Sequence, residues 1–457
     1  MPARPRPGGL AATRAHAKRW PNAGPGRGEV VLEPQSTWLF LLMMVVFAGL
    51  MWWLVVARQP AVRVLAACLA FVPAMMFGVA AVNKYYGYYQ TWGDVLNDFG
   101  NRGVKSITAA PAGGAWASQR FNPLLSQAVD SRAAAERGAT VSVQVPGQQS
   151  HITRSVYVYL PPQYFQPRWA SYRFPAIELL HGSPGTPQDW LTVLHAPATL
   201  TSLVAARQAD PAVLVMPDAN GGKRLSRQCL NEVGGAADET FLARDVPAFI
   251  SSTVRVEPPG RAWGVAGYSE GGFCAANLAM RHPARFGFSG VVSGYFQPLR
   301  YNRVPQRMDP FRGNRTLRLQ NSPSYLLRTA PRSALVPQFW LAAGSHDAPD
   351  VSAAEHFREL AAERYPLTPL LLITGGHTAP VWRGALQPMF IWMTPRLAQA
   401  AQQAGQPSPC ASCLTPPGSS RVAQNPAARP TIAQRAPSPR STVGQPRRSP
   451  APVRGRT

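Results

Sequence analysis

Two uninterrupted apolar blocks lie near the start of the chain. Residues 37–57, TWLFLLMMVVFAGLMWWLVVA, carry no charge, and about 20 such residues in a helix cross the hydrocarbon of a bilayer. Residues 64–82, VLAACLAFVPAMMFGVAAV, repeat the pattern, with only RQPAVR between the stretches just before and after it. The pair is predicted to form a transmembrane hairpin over 37–83, its Trp and Tyr ends suited to the headgroup layers. A cleaved signal peptide followed by a buried core helix fits these lengths less well.

Beyond residue 150 the pattern changes to short apolar runs alternating with helical ones. RSVYVYLP (154–161), FPAIELLHG (174–182), AVLVMPD (212–218), AWGVAG (262–267), GFSGVVSG (287–294), FWLAAG (339–344) and PLLLIT (369–374) read as strands. Helices are predicted at about 239–253, 271–282, 352–365 and 381–400, and a long loop runs to about 336. Strands alternating with helices predict an α/β domain over 151–400, a mostly parallel sheet flanked by helices. The Gly/Ala/Ser-rich residues 84–150 read as a partly structured linker leading away from the membrane.

Charge sharpens the outer boundaries. The chain has 46 Lys and Arg against 22 Asp and Glu, a formal net charge of +24. Much of the excess is terminal. Residues 401–457 hold eight arginines and no acidic residue among many Pro, Ser, Ala and Gln, a composition unable to offset its ordering entropy. This tail and a similar basic arm, 1–36, are expected to be disordered. No aromatic residue interrupts the basic tail to stack on bases, so nucleic acid is disfavoured as a partner; anionic lipids or wall polymers suit it better. Cys229 stands alone in a loop, and Cys274 reads as core. Cys410 and Cys413 form a C-x-x-C in the tail, without the second pair or histidines that zinc requires. No phosphate-binding loop, H-E-x-x-H or paired metal-binding carboxylates occur, so neither cofactor nor metal is expected.

Candidate chemistry centres on GVAGYSEGGFCAANLAMRHP (265–284). Strand AWGVAG runs into a glycine-flanked turn and then a helix. In that context Ser269 in G-x-S-x-G is held strained and exposed at the sheet edge, above the positive end of the helix. A serine nucleophile needs a base, and the base an orienting acid. Asp347, three residues past Gly344, is the expected acid, and His377, three past Thr374, the expected base, because loops at the carboxyl ends of parallel strands meet at one edge. Asp350 is the rival acid, read as an N-terminal cap of the 352–365 helix. The backbone N–H of Glu270 and that of Ser183 in LLHGSPGTPQDW (179–190) are the expected oxyanion donors. Asp218 in MPDANGG stabilises its loop, with substrate contact the weaker reading. The Glu270 carboxylate either touches substrate or faces solvent, His181 and His195 are structural, and His346 faces solvent.

Together VYVYLPPQY, LLHGSPG, VMPDANGG, ETFLARDVPAFI, GYSEGGFCAANLAMRHPARF, GSHD and GGHTAPVW, spread over about 154–395, resemble the "Putative esterase" branch of the α/β-hydrolases. That branch includes esterase D, feruloyl esterases and the antigen 85 mycolyltransferases. The resemblance implies an α/β-hydrolase fold and a Ser269–Asp347–His377 triad acting on an acyl ester, with lipid and cell-envelope glycan esters as the candidate classes, as a hydrolase or as a transferase to envelope sugars. The paired cysteines that mycolyltransferases carry upstream are not matched, Cys229 being single. The hairpin followed by NKYYGYYQTWGDVL resembles membrane-anchored actinobacterial members, which implies a plasma-membrane enzyme with an extracytoplasmic catalytic domain. Basic residues flanking the spans argue the opposite orientation. The rival from another class is a catalytically idle hydrolase-like scaffold whose basic tail binds anionic partners.

Overall fold

The computed structural model describes residues 32–89, 91–93, 95–96, 105–107, 125, 128–221, 227–299 and 309–405. The apolar blocks form helices α1 (Thr37–Val56) and α2 (Pro60–Tyr86), packed against one another. Ser36 caps α1 by accepting the Trp38 N–H, Pro60 opens α2, and Gly87, in the left-handed region, closes it. Phe40 meets Phe77 edge-on at 5.2 Å, and Lys84 Nζ reaches Thr37 Oγ1 at 3.3 Å across the open end. Both helices are long and apolar enough to cross a membrane. Val45, Trp52, Val55, Phe71 and Val79 are each 67–70% exposed, an apolar surface of the kind that marks a membrane or protein contact. The expected basic arm falls outside the described residues up to 31, as does the tail beyond 405 with Cys410 and Cys413.

Among the described residues, nine strands form one sheet: β1 (Lys105–Ile107), β2 (Ala139–Pro146), β3 (Thr153–Leu160), β4 (Ala176–Leu180), β5 (Val213–Pro217), β6 (Gly260–Tyr268), β7 (Phe286–Val292), β8 (Gln338–Gly344) and β9 (Leu370–Ile373), in the order β1-β2-β3-β5-β4-β6-β7-β8-β9. Strands β4 to β9 run parallel; β3 pairs antiparallel with both β2 and β5. The mostly parallel α/β expectation holds. Alternate residues go to opposite faces. Val156, Val158 and Leu160 of β3 join one apolar core with Phe273 and Leu278, whereas Tyr157 and Tyr159 join another with Trp382, Met389 and Met393. Helix Glu270–Arg281 covers the first face and helix Ala379–Gln403 the second.

Three sequence boundaries require correction. The 84–150 segment is more than a linker: β2 lies within it and pairs along its whole length with β3, with the capped helix Ser131–Arg137 leading in. Its alternation V-x-V-x-V (141–145) buries one valine face, a period-2 signal obscured by the surrounding Gly and Ala. The 239–253 helix is interrupted by a π-helical turn, Phe241–Asp245. The loop before residue 336 contains two helices, Arg315–Gln320 and Pro323–Thr329.

Sheet order reverses at β4, whose neighbours are β5 on one side and β6 on the other. Crevices beyond the carboxyl ends of strands at such a switch point are where open α/β sheets hold ligands. The loops after β4 and β6 meet there.

Candidate active site

Ser269 follows β6 directly and is the N-cap of helix Glu270–Arg281. Its φ of 56° and ψ of −122° lie in a region costly for any residue with a side chain, of order 1–3 kcal/mol. The Ser269 N–H donates to Val292 O of the neighbouring strand end at 2.9 Å, which holds the turn. The flanking glycines are required by crowding. A Cβ on Gly267 would lie 2.1 Å from Gly271 O, and one on Gly271 would lie 2.0 Å from Leu180 O. The strained turn thus packs directly against the end of β4, and the helix amino terminus points its first N–H groups at the serine.

His377 arrives from the loop after β9. Its Nε2 is 2.8 Å from Ser269 Oγ, and its Nδ1 is 3.1 Å from Asp347 Oδ2 and 2.8 Å from Asp350 Oδ2. The loops after β8 and β9 are tied together by Ser345 N–H to Ile373 O and His346 N–H to Gly375 O, both 2.8 Å. That tie brings the loop of Asp347 to His377. The expected trio therefore converges, and Asp350 joins it, contrary to its reading as a helix cap. The helix begins at Ala348, with Asp347 as the N-cap accepting the Asp350 N–H. Residues three apart on a helix share a face, so both carboxylates reach the same imidazole nitrogen.

Burial by itself would lower the basicity of His377, but the hydrogen bond and charge of Asp350, followed by those of Asp347, outweigh it and raise the pKa. The Asp350 carboxyl is itself raised, chiefly by burial. Trp382 meets the imidazole edge-on at 5.3 Å and stacks on Tyr268 at 4.5 Å, which limits the ring's freedom. Asp347, Asp350 and His377 place ligand atoms within 4.8 Å of one another, close enough to hold a cation. The other imidazole nitrogen, however, faces a serine hydroxyl at bonding distance, as a base for that hydroxyl requires.

The loop after β4 carries Gly182 to Ser269: a Cβ there would stand 3.2 Å from Ser269 Cβ. Ser183, half-buried, is the next residue, and its peptide to Pro184 is cis. Asp189 braces this loop by accepting the Tyr268 hydroxyl at 2.7 Å and the Thr186 N–H at 3.2 Å. Among the other singled-out residues, Asp218 accepts the N–H groups of Asn220 and Gly221 at 3.2 and 2.8 Å, which suits its loop-stabilising role. Its pKa is lowered to about 2: burial opposes the shift, while His181 and those two N–H groups outweigh it. The N–H groups act at bonding distance, whereas the His181 ring stands 3.8 Å away. Buried His181 has its Nδ1 on Gly182 O, and its Nε2 accepts the Ala219 N–H. It is structural, as is His195, whose Nδ1 bonds Leu191 O. His346 is exposed, as expected.

Two expectations are overturned. The Glu270 side chain is buried and accepts the Gln228 N–H at 3.2 Å, so it does not face solvent. Burial raises its pKa to about 7. Cys229 is not single, nor is Cys274 merely core: they form a disulfide. Cys274 lies one helical turn beyond Glu270 and Cys229 follows Gln228, so bridge and hydrogen bond clamp the same two segments. Forty-five residues of sequence separate the cysteines, so local spacing gave no sign of the pair.

An α/β-hydrolase sheet with a serine, imidazole and carboxylates at its carboxyl edge defines the class of protein. The sequence profile of the "Putative esterase" family matches residues 149–393, and the chain belongs to that family. It is 28% identical over 348 residues to an uncharacterized protein of Corynebacterium glutamicum, covering 74% of this chain and 78% of that one. Shorter matches are an MPT51 antigen of Mycobacterium leprae, 31% identical over 24% of this chain and 33% of that one, and an esterase of Mycobacterium tuberculosis, 33% identical over 30% and 28%. Among solved structures a ferulic acid esterase superposes with a TM-score of 0.50 at 21% identity, covering 57% of this chain and 98% of that one. That likeness concerns the fold.

Proposed function

We propose that this protein is a membrane-anchored serine esterase working through an acyl-enzyme. The observation that carries the reading is His377 Nε2 at 2.8 Å from Ser269 Oγ, on a serine held in a strained turn at a helix amino terminus. His377 takes the hydroxyl proton as Ser269 Oγ attacks the ester carbonyl, and the carboxylates of Asp347 and Asp350 stabilise the imidazolium. The N–H groups of Glu270 and Ser183 hold the oxyanion. The imidazolium then protonates the leaving alcohol. Water, or a hydroxyl acceptor in a transferase, enters by the reverse sequence and frees the serine.

The exposed apolar faces of α1 and α2 support membrane anchoring. The Cys229–Cys274 disulfide supports an extracytoplasmic catalytic domain, since such bonds persist in oxidising compartments. Thiol labelling of Cys410 in intact cells tests the orientation.

The test of the chemistry is fluorophosphonate labelling together with hydrolysis of a p-nitrophenyl ester. The wild type should label and turn over, and Ser269→Ala should do neither. An unlabelled, inactive wild type favours the scaffold reading, and a Ser269→Ala variant with unchanged turnover refutes the assignment.

A further inference from the structure

The second apolar helix does not end in open space. Its C-cap, Gly87, lies against the start of the helix that follows His377: a Cβ on Gly87 would stand 2.8 Å from Pro380 Cδ. The next residue, Tyr88, donates its hydroxyl to Pro184 O at 3.1 Å, one residue beyond the Ser183 N–H. The Tyr88 ring also meets Trp382 at 6.3 Å, the indole that packs on both His377 and Tyr268. Tyr88 thus touches the oxyanion loop and the wall of the base at once.

The turn bearing Tyr88 is itself fixed. Asn83 brackets Tyr89, its Nδ2 donating to Tyr89 O and its Oδ1 accepting the Tyr89 N–H, both at 2.8 Å. Gln35, just ahead of α1, donates to the same carbonyl at 3.1 Å. The end of α2 and the residue before the cap of α1 therefore hold the turn. Burial, with Asp189 nearby, raises the Tyr88 pKa, so the hydroxyl remains a proton donor across the working pH range. Asp189 secures the loop through Thr186, and Tyr88 secures it at Pro184. An oxyanion donor works only if its position is fixed before charge develops.

We infer that the juxtamembrane turn Gly87–Tyr88 is part of the acyl-transfer site, with Tyr88 a positioning residue for the loop that offers the Ser183 N–H. The inference rests on the esterase reading above. It makes hairpin and active site one working unit: α2 ends at Tyr86, so the nucleophile stands near the headgroup layer instead of at the end of a free tether.

Full-length wild type, Tyr88→Phe and Tyr88→Ala, in the same detergent, are compared for kcat and KM on p-nitrophenyl butyrate, fluorophosphonate labelling and Tm. Tyr88→Phe keeps the ring and removes only the donor. Its kcat should fall about three- to tenfold, the size of one ordinary hydrogen bond, with KM within about twofold and Tm lowered by no more than about 3 °C. Tyr88→Ala should fall further. Wild-type kcat in Tyr88→Phe, or a loss seen only in KM or only in Tm, overturns the inference and leaves the esterase standing. A wild type that neither labels nor turns over ester overturns both.

Discussion

Asp350 Oδ2 lies 2.8 Å from His377 Nδ1, closer than Asp347 Oδ2 at 3.1 Å. Two carboxylates one helical turn apart therefore meet a single nitrogen of the imidazole proposed as the base. If they share the work, neither single loss removes orientation completely. Asp347→Asn and Asp350→Asn should each lower kcat/KM by roughly 10- to 100-fold. The double variant should approach the ~10⁴-fold loss seen where a lone orienting acid is replaced. Steady-state kinetics on a p-nitrophenyl ester decides: a single variant as slow as the double assigns the role to one acid alone.

The same pair sets the pH profile. His377 must be neutral to accept the serine proton, and its pKa is raised because Asp350 and Asp347 outweigh burial. Activity should accordingly be lost as pH falls through a midpoint above the ordinary 6.5. In the double Asn variant burial alone remains, and the midpoint of the residual activity should move below that value. A kcat/KM profile from pH 5 to 9 measures both.

Glu270 predicts a pH-dependent stability independent of catalysis. Its carboxyl is raised from 4.5 to about 7 by burial, so the folded state holds the proton more tightly than the unfolded state. The stabilisation is full below about 4.5 and falls as pH rises to about 7, by about 3 kcal/mol, with no further change above. Glu270→Gln should flatten that part of the stability curve while retaining an acceptor for the Gln228 N–H. Urea unfolding at pH 4.5, 6 and 8 tests it, and equal pH dependence in both proteins would dismiss the assignment.

Reducing Cys229–Cys274 should cost about 4 kcal/mol by the loop-entropy relation for a 45-residue separation. Urea midpoints with and without reductant measure the loss, and a Cys229→Ser/Cys274→Ser variant should be insensitive to reductant. Gln228 and Glu270 lie next to the bridge, so the Glu270 pH effect should weaken in the reduced protein.

Much was legible because the signals were local. The strand–turn–helix around Ser269, the two spans, and the loops carrying Asp347 and His377 each declare themselves within a dozen residues. Asp350 reads as a cap from sequence because apolar periodicity starts the helix at 352, four residues after its actual start at Ala348. The π turn at Phe241–Asp245 has no signature in apolar periodicity, and β2 was hidden in a Gly/Ala-rich context.

From the sequence alone, periodicity and turn chemistry determined the α/β class, the apolar hairpin, and the loops that carry Ser269, Asp347 and His377, because each follows from contacts between near neighbours along the chain. Tertiary structure decided what depends on distant segments meeting. Examples are the second acid on His377, the Cys229–Cys274 bridge, the burial of Glu270, and the docking of Tyr88 on Pro184 across 96 residues. Such contacts arise only when sheet order and helix packing bring chain-distant loops to one edge, and no pattern within a single segment encodes them.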